Sequence, residues 1–264
     1  MDTRSTRTRW LGNERGEVLP GATLRTDTWW LEPLLVVVVL GAFGVYATWA
    51  AWQNAYYYAA PYLSPFYSPC ISKTCQHVTL PLIGSWWNLS PAFLILWVPG
   101  GFRVTCYYYR KAYYRSFFGS PPGCGVRDWS KTYSGETKFP FVLQNIHRYF
   151  FWLSLLILVF LWWDVLLAFN FGGRFGMGLG TLVLLVNASL LTLYSISCHS
   201  CRHLCGGHLD VFSKAPSNHN LWRTISRLNE HHMLFAWISL FSVGLTDVYV
   251  RLLAMGIIRD LRFF

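Results

Sequence analysis

Runs of about twenty apolar residues decide what this chain can fold into, because a helix of that length crosses the hydrocarbon core of a bilayer. The first run is Leu31 to Gln53, behind an interfacial Trp29-Trp30 pair. Further spans are expected at Trp87–Tyr107, Asn145–Phe169, Leu179–Ser200 and Glu230–Ile257. Of the 264 residues 53% are hydrophobic and 13% charged, where a soluble domain carries about 25% charge. The expected fold class is an all-α polytopic membrane protein, with five transmembrane helices over residues 31–264 and a polar arm over residues 1–30. The second span carries Pro91, Pro99 and paired glycines, so it should be kinked or broken.

The charge pattern orients these spans. A net charge of +10 points to nucleic acid in a soluble protein, but here the basic residues crowd particular loops. Arg4, Arg7, Arg9, Arg15 and Arg25 lie in the arm, Arg110 to Lys138 in the second basic stretch, and Arg202 to Arg227 in the third. Between Asn54 and Trp86 the only Lys or Arg is Lys73, and the turn near Gly172 carries Arg174 alone. The positive-inside rule places the N-terminus in the cytoplasm and the C-terminus outside, and excludes nucleic acid as the partner. The arm is read as a cytoplasmic segment lying on a partner or on headgroups. It lacks the apolar core of a cleavable signal peptide. Arg251, Arg259 and Arg262 are the exception to the rule, partly offset by Asp247 and Asp260.

Chemistry concentrates in CHSCRHLCGGH, Cys198 to His208, which holds three of the seven cysteines and three of the eight histidines. The stretch closes the fourth span. His147 opens the third and His231-His232 the fifth, so all share one membrane face. If the fourth span stays helical through Cys205, then Cys198, Cys201 and Cys205 share a face, with His199 and His203 beside it. Thiols flanked by imidazoles suit a [2Fe–2S] centre with two cysteine and two histidine ligands, whose raised potential suits quinone reduction. Taken singly, each of these residues is more ordinarily a buried small hydrophobe or a hydrogen-bonded histidine. Their convergence is what favours a bound centre.

A Rieske letter pattern also joins Cys75-Gln-His77 to Cys205-Gly-Gly-His208. Topology rejects it, since about 30 Å of hydrocarbon separates the pairs. Cys70 and Cys75, in an outer loop, can instead form a disulfide. Cys106 and Cys124 read as structural.

Four segments together resemble one family: Tyr107 to Val126, LQNIHRYFFW (Leu143 to Trp152), Cys198 to Gly207, and Leu228 to Gly256. They are similar to the membrane-anchor, cytochrome b-like subunit of bacterial succinate:quinone oxidoreductases, in its five-helix form. The resemblance covers over half the chain. It implies a bacterial inner-membrane subunit that docks a flavoprotein and an iron–sulfur subunit on its cytoplasmic face. Electrons from succinate would pass to menaquinone or ubiquinone. Most such anchors hold haem b by helix histidines, but here the first two spans contain none. In the resembling anchors the positions of Cys201 and Cys205 are apolar. A Rieske-type [2Fe–2S] cluster in place of haem is therefore favoured. Its expected ligands are Cys201, Cys205, His147 and His203, with Cys198, His199 and His232 as substitutes.

The candidate quinone contacts are Tyr107, Tyr108, Arg110, Trp222, Arg223 and His232, of which His232 is the best acid/base group. Most of the others are equally read as belt aromatics or topology arginines. Asp164, Asp247 and Arg251 are ionisable residues in the outer half. They suit proton uptake or a second quinone, or in the case of Asp247 and Arg251 a structural pair. The competing expectations are a haem b anchor of the same complex, a thiol–disulfide oxidoreductase using Cys198 and Cys201, and a scaffold holding structural zinc.

Overall fold

The computed structural model of the protein describes residues 19–73, 75, 87, 89–130, 137–139, 141–207 and 209–264. His77, His208 and residues 1–18 of the arm lie outside them. Among the described residues four helical segments are long and apolar enough to cross a membrane: α1 (Leu31–Gln53), Val142–Leu167, α6 (Leu179–Ile196) and α9 (His232–Ala254). Val142–Leu167 joins the 3-10 turn Phe141–Ile146 to α5 (His147–Leu167). The expected second span is two short helices, α2 (Ala92–Ile95) and α3 (Trp97–Thr105). Pro91 starts the first, and Cys106 ends the second in extended backbone.

The described residues group into two compact units, one from within 19–45 and 104–145 and one from within 46–103 and 146–264. In the first, α4 (Tyr107–Phe118) carries the basic residues and stops at Gly119 in left-handed backbone (φ 58°). The Trp129 indole lies where a Cβ on Gly119 would stand. Gly21 N–H donates to Arg127 O and Arg127 N–H to Ala22 O, both at 3.0 Å. The Arg25 guanidinium reaches Cys124 O at 2.9 Å. The end of the arm is therefore tied to its own chain.

In the second unit α6 is the central element, packed on both α5 and α9. Tyr62, Val165, Ala168, Leu184, Ala188 and Val250 form a core between them. Gly180 lets α6 approach Tyr62, whose ring occupies the space a Cβ would need. Asp260 substitutes for a helix cap, accepting the Gly180 N–H at 3.0 Å at the positive end of α6.

The loop after α1 folds as a plug across this end of the bundle. Strands β1 (Tyr58–Ala59) and β2 (Tyr62–Leu63) pair antiparallel, and a 3-10 turn follows at Pro65–Tyr67, capped by the Ser64 hydroxyl. Tyr57 and Tyr67 stack at 4.0 Å, both buried. The Tyr67 hydroxyl donates to Ala50 O at 2.9 Å, a carbonyl near the end of α1. Ser68 donates to Asp164, Ser64 to Asp247, and Tyr62 to Asp260. Burial and the bond to Asp260 push the Tyr62 phenol up to about 12, so it stays a donor. A Cys70–Cys75 disulfide, one of the possibilities the sequence left open, closes the plug and so withdraws Cys75 from any ligand role.

Candidate functional site

At the opposite end of the second unit the fourth span does not run on through Cys205. Helix α6 stops at Ile196, Cys198 adopts extended backbone (ψ 145°), and α7 (His199–Gly206) starts afresh. This corrects the expectation that Cys198, Cys201 and Cys205 share one continuous helical face. The break is held by polar partners for Ser197: Asn229 Nδ2 donates to its carbonyl at 2.7 Å, and its hydroxyl donates to Tyr194 O at 3.1 Å. His232 Nδ1 lies 2.8 Å from the same hydroxyl. With the hydroxyl proton given to Tyr194, Nδ1 is the donor and Nε2 the acceptor nitrogen of His232.

The break turns Cys198 inward. Its buried Sγ meets His147 Nε2, at the first residue of α5, at 3.2 Å. Both histidines are clamped by aromatic faces: Phe102 stacks on His147 (4.9 Å, 5°) and Tyr194 on His232 (5.1 Å, 13°). Phe102 and Tyr194 meet edge to face at 5.4 Å. Over the other ring system sits Arg103, 4.5 Å from the Tyr194 centroid, donating to Ala236 O at 3.1 Å and to Ser239 Oγ at 3.0 Å.

Sequence reasoning passed over Arg103, Phe102 and Tyr194. The signal for Arg103 was available, since an arginine inside an apolar stretch is expensive and marks a site. For the two aromatics there was none.

Helix α7 carries a second group. Cys201 and Cys205 lie one turn apart, and burial followed by the neighbouring Cys205 thiol pushes Cys201 up to about 11. His203 Nδ1 accepts from Arg148 at 3.3 Å, and His199 is exposed. Helix α8 (Pro216–Glu230) backs α7: Arg202 donates to Ser226 at 2.9 Å and lies 4.9 Å over Trp222. Trp222 in turn fills the space beside Gly206.

The structure therefore joins His147 with Cys198, and Cys201 with Cys205, while His203 faces Arg148. Among the described residues no three Cys, His, Asp or Glu side chains are arranged around a common ion. Of the quinone candidates, Arg223 is exposed on α8, and Tyr107 and Arg110 pair in the first unit at 5.2 Å. Those two line a cavity of about 490 Å³ with Lys111, Arg115 and Asp128. Tyr108, beside them, packs on Tyr109 instead.

Four helices long and apolar enough to cross a membrane, with His147, Cys198, His232 and Arg103 gathered near one end of them, define a multi-pass membrane protein. The chain matches the model of the actinobacterial succinate dehydrogenase subunit SdhC over residues 31–256, and it belongs to that family. It is thus a membrane subunit of a quinone-reducing oxidoreductase of the bacterial inner membrane. It superposes on a chain of the Mycobacterium smegmatis Sdh1 complex in the apo form with a TM-score of 0.86 and 47% identity, over 96% of this chain and 98% of that one. No curated protein matches it.

Proposed function

We propose that this SdhC docks the flavoprotein and iron–sulfur subunits of succinate dehydrogenase on its cytoplasmic face and hands their electrons to membrane menaquinone or ubiquinone at a Cys/His site. The observation that carries this reading is the gathering of His147, Cys198 and His232 with the Cys201–Cys205 pair at one end of α5, α6 and α9. The favoured ligands of a Rieske-type [2Fe–2S] cluster are Cys201, Cys205, His147 and His203, with Cys198, His199 and His232 as substitutes. Bound there, such a group supplies one-electron transfer at a raised potential.

The chain's own residues do the rest. Cys201 and Cys205 would bind it as thiolates, which for Cys201 requires loss of a proton that burial holds on it. Ser197 and Tyr194 orient His232 so that Nε2 can take up or return a quinone proton. Tyr107, Tyr108, Arg110, Trp222 and Arg223 remain the further quinone contacts. Haem b ligation by His147 with His199, His203 or His232 is the competing cofactor assignment. A Cys198–Cys201 dithiol is disfavoured by the contacts, since Cys198 faces His147 and Cys201 faces Cys205.

Low-temperature EPR of the assembled complex tests the cofactor. After chemical reduction a rhombic signal with low average g, lost in Cys201→Ala and Cys205→Ala, is the expected result. A low-spin haem signal in the oxidised complex, without that rhombic signal, would replace the cluster with haem b.

Five spans with the N-terminus inside complete the reading, α2 and α3 making the short second span and residues 1–30 a cytoplasmic arm. The Cys70–Cys75 disulfide supports it, because such bonds persist on the oxidising side of the membrane. An impermeant maleimide applied to spheroplasts should label Cys70 and Cys75 only after reduction. Exposed Cys124 should react only in inverted vesicles. The opposite pattern would turn the chain over.

A further inference from the structure

The end of the second unit opposite His232 holds a cavity of about 520 Å³ that the electron-transfer site does not use. Its lining includes Tyr62, Phe171, Gly256, Arg259, Asp260 and Arg262. Asp260 does not neutralise the arginines. Its Oδ2 accepts from Tyr62 at 2.6 Å, and its Oδ1 accepts from Tyr249 at 2.7 Å and from the Gly180 N–H at 3.0 Å. These three donors commit the carboxylate to capping α6. Neither Arg259 nor Arg262 enters an ion pair among the described residues.

Arg262 is held in place by backbone pairing with Gly178 and by its guanidinium lying 4.3 Å over the Phe171 ring. Gly256 turns the chain in left-handed backbone (φ 72°) at the cavity wall, bringing Arg259 back beside it. Two guanidiniums thus face one cavity beside a single committed carboxylate. They do so where the positive-inside rule expects no basic residues.

The residues that flank these arginines in the chain are exposed and apolar: Ile257 is 65% exposed, Leu261 60% and Phe264 65%, with Phe175 (76%) in ring contact with Phe264. A basic cavity whose arginines are flanked by exposed aliphatic and aromatic side chains, at the mouth of membrane helices, matches the two-part chemistry of a phospholipid. Guanidinium forks bind phosphate oxygens in pairs, and the volume falls within the range of small-molecule sites. We infer that this cavity binds the phosphodiester headgroup of an anionic phospholipid through Arg259 and Arg262, with the acyl chains lying along these apolar side chains.

The test is native mass spectrometry of the complete, delipidated complex given short-chain phosphatidylglycerol, phosphatidylcholine of the same chain length, or inorganic phosphate. Retention of phosphatidylglycerol should fall about fivefold for each arginine removed, in Arg259→Gln and in the double variant with Arg262→Gln, while phosphatidylcholine retention stays unchanged. Millimolar inorganic phosphate should not displace the lipid. Equal phosphatidylglycerol retention by wild type and variants would overturn the site. Displacement by inorganic phosphate would overturn the lipid in favour of a free anion. Should the double variant fail to assemble, Arg259→Gln alone decides, since that side chain is exposed.

Discussion

Asp247→Ala is expected to cost about 3–5 kcal/mol and to prevent accumulation of the assembled protein. Asp247 is fully buried and accepts from Arg251 Nε at 2.6 Å, from the Tyr46 hydroxyl and from the Ser64 hydroxyl. Arg251, 3% exposed, spends its other donors on Ala50 O (2.9 Å), Gln53 Oε1 (2.8 Å) and Ala55 O (2.9 Å). Trp49 lies 5.6 Å from the guanidinium. Deleting the carboxylate leaves a guanidinium in a low-dielectric site with carbonyl partners only, along with two hydroxyl groups that have lost their acceptor. Removing both charges together with Asp247→Leu and Arg251→Met should recover much of the loss, because the penalty lies in the unpaired charge. Thermal unfolding of the detergent-solubilised protein measures this. Single and double variants of equal stability would show that the pair does not couple.

Arg103→Met should lower succinate:quinone turnover about 10–100-fold while leaving succinate oxidation by a soluble dye intact. The side chain ties α3 to α9 through Ala236 O and Ser239, and it holds the Tyr194 ring that stacks on His232. Methionine keeps the packing volume but has no donors, so Tyr194 loses a cation–π contact that is worth about 2 kcal/mol when desolvated. The ring that stacks on His232 is then held less firmly. The soluble dye takes electrons upstream of the membrane subunit, so only the quinone assay should respond. Equal loss in both assays would mark Arg103 as a purely structural residue.

Much of the site was legible as residue types. Cysteine and histidine density in Cys198–His208, and histidines opening the third and fifth spans, pointed to the face where the structure gathers them. Their pairing was not legible. Helical periodicity holds only for an unbroken helix, and the break at Ser197–Cys198 is held by Asn229 and His232, some thirty residues away in sequence. That break turns Cys198 toward His147 and leaves Cys201 to pair with Cys205. The loop after α1, which carried little in the sequence, became a folded plug because its Tyr and Ser hydroxyls find acceptors on Asp164, Asp247 and Asp260.

By itself the sequence determined the membrane class, the approximate positions of the long apolar helices and the family resemblance that its ligand-rich and basic segments carry. Each of these depends on local quantities: the length of an apolar run, the count of basic residues in a loop, and the presence of ligand-type side chains. The tertiary structure alone decided which histidine meets which cysteine, that Arg103 supports Tyr194, and that Asp247 and Asp260 are committed to structure. Those outcomes depend on how buried polar groups far apart in the chain find one another, since in a membrane interior each must be satisfied by protein.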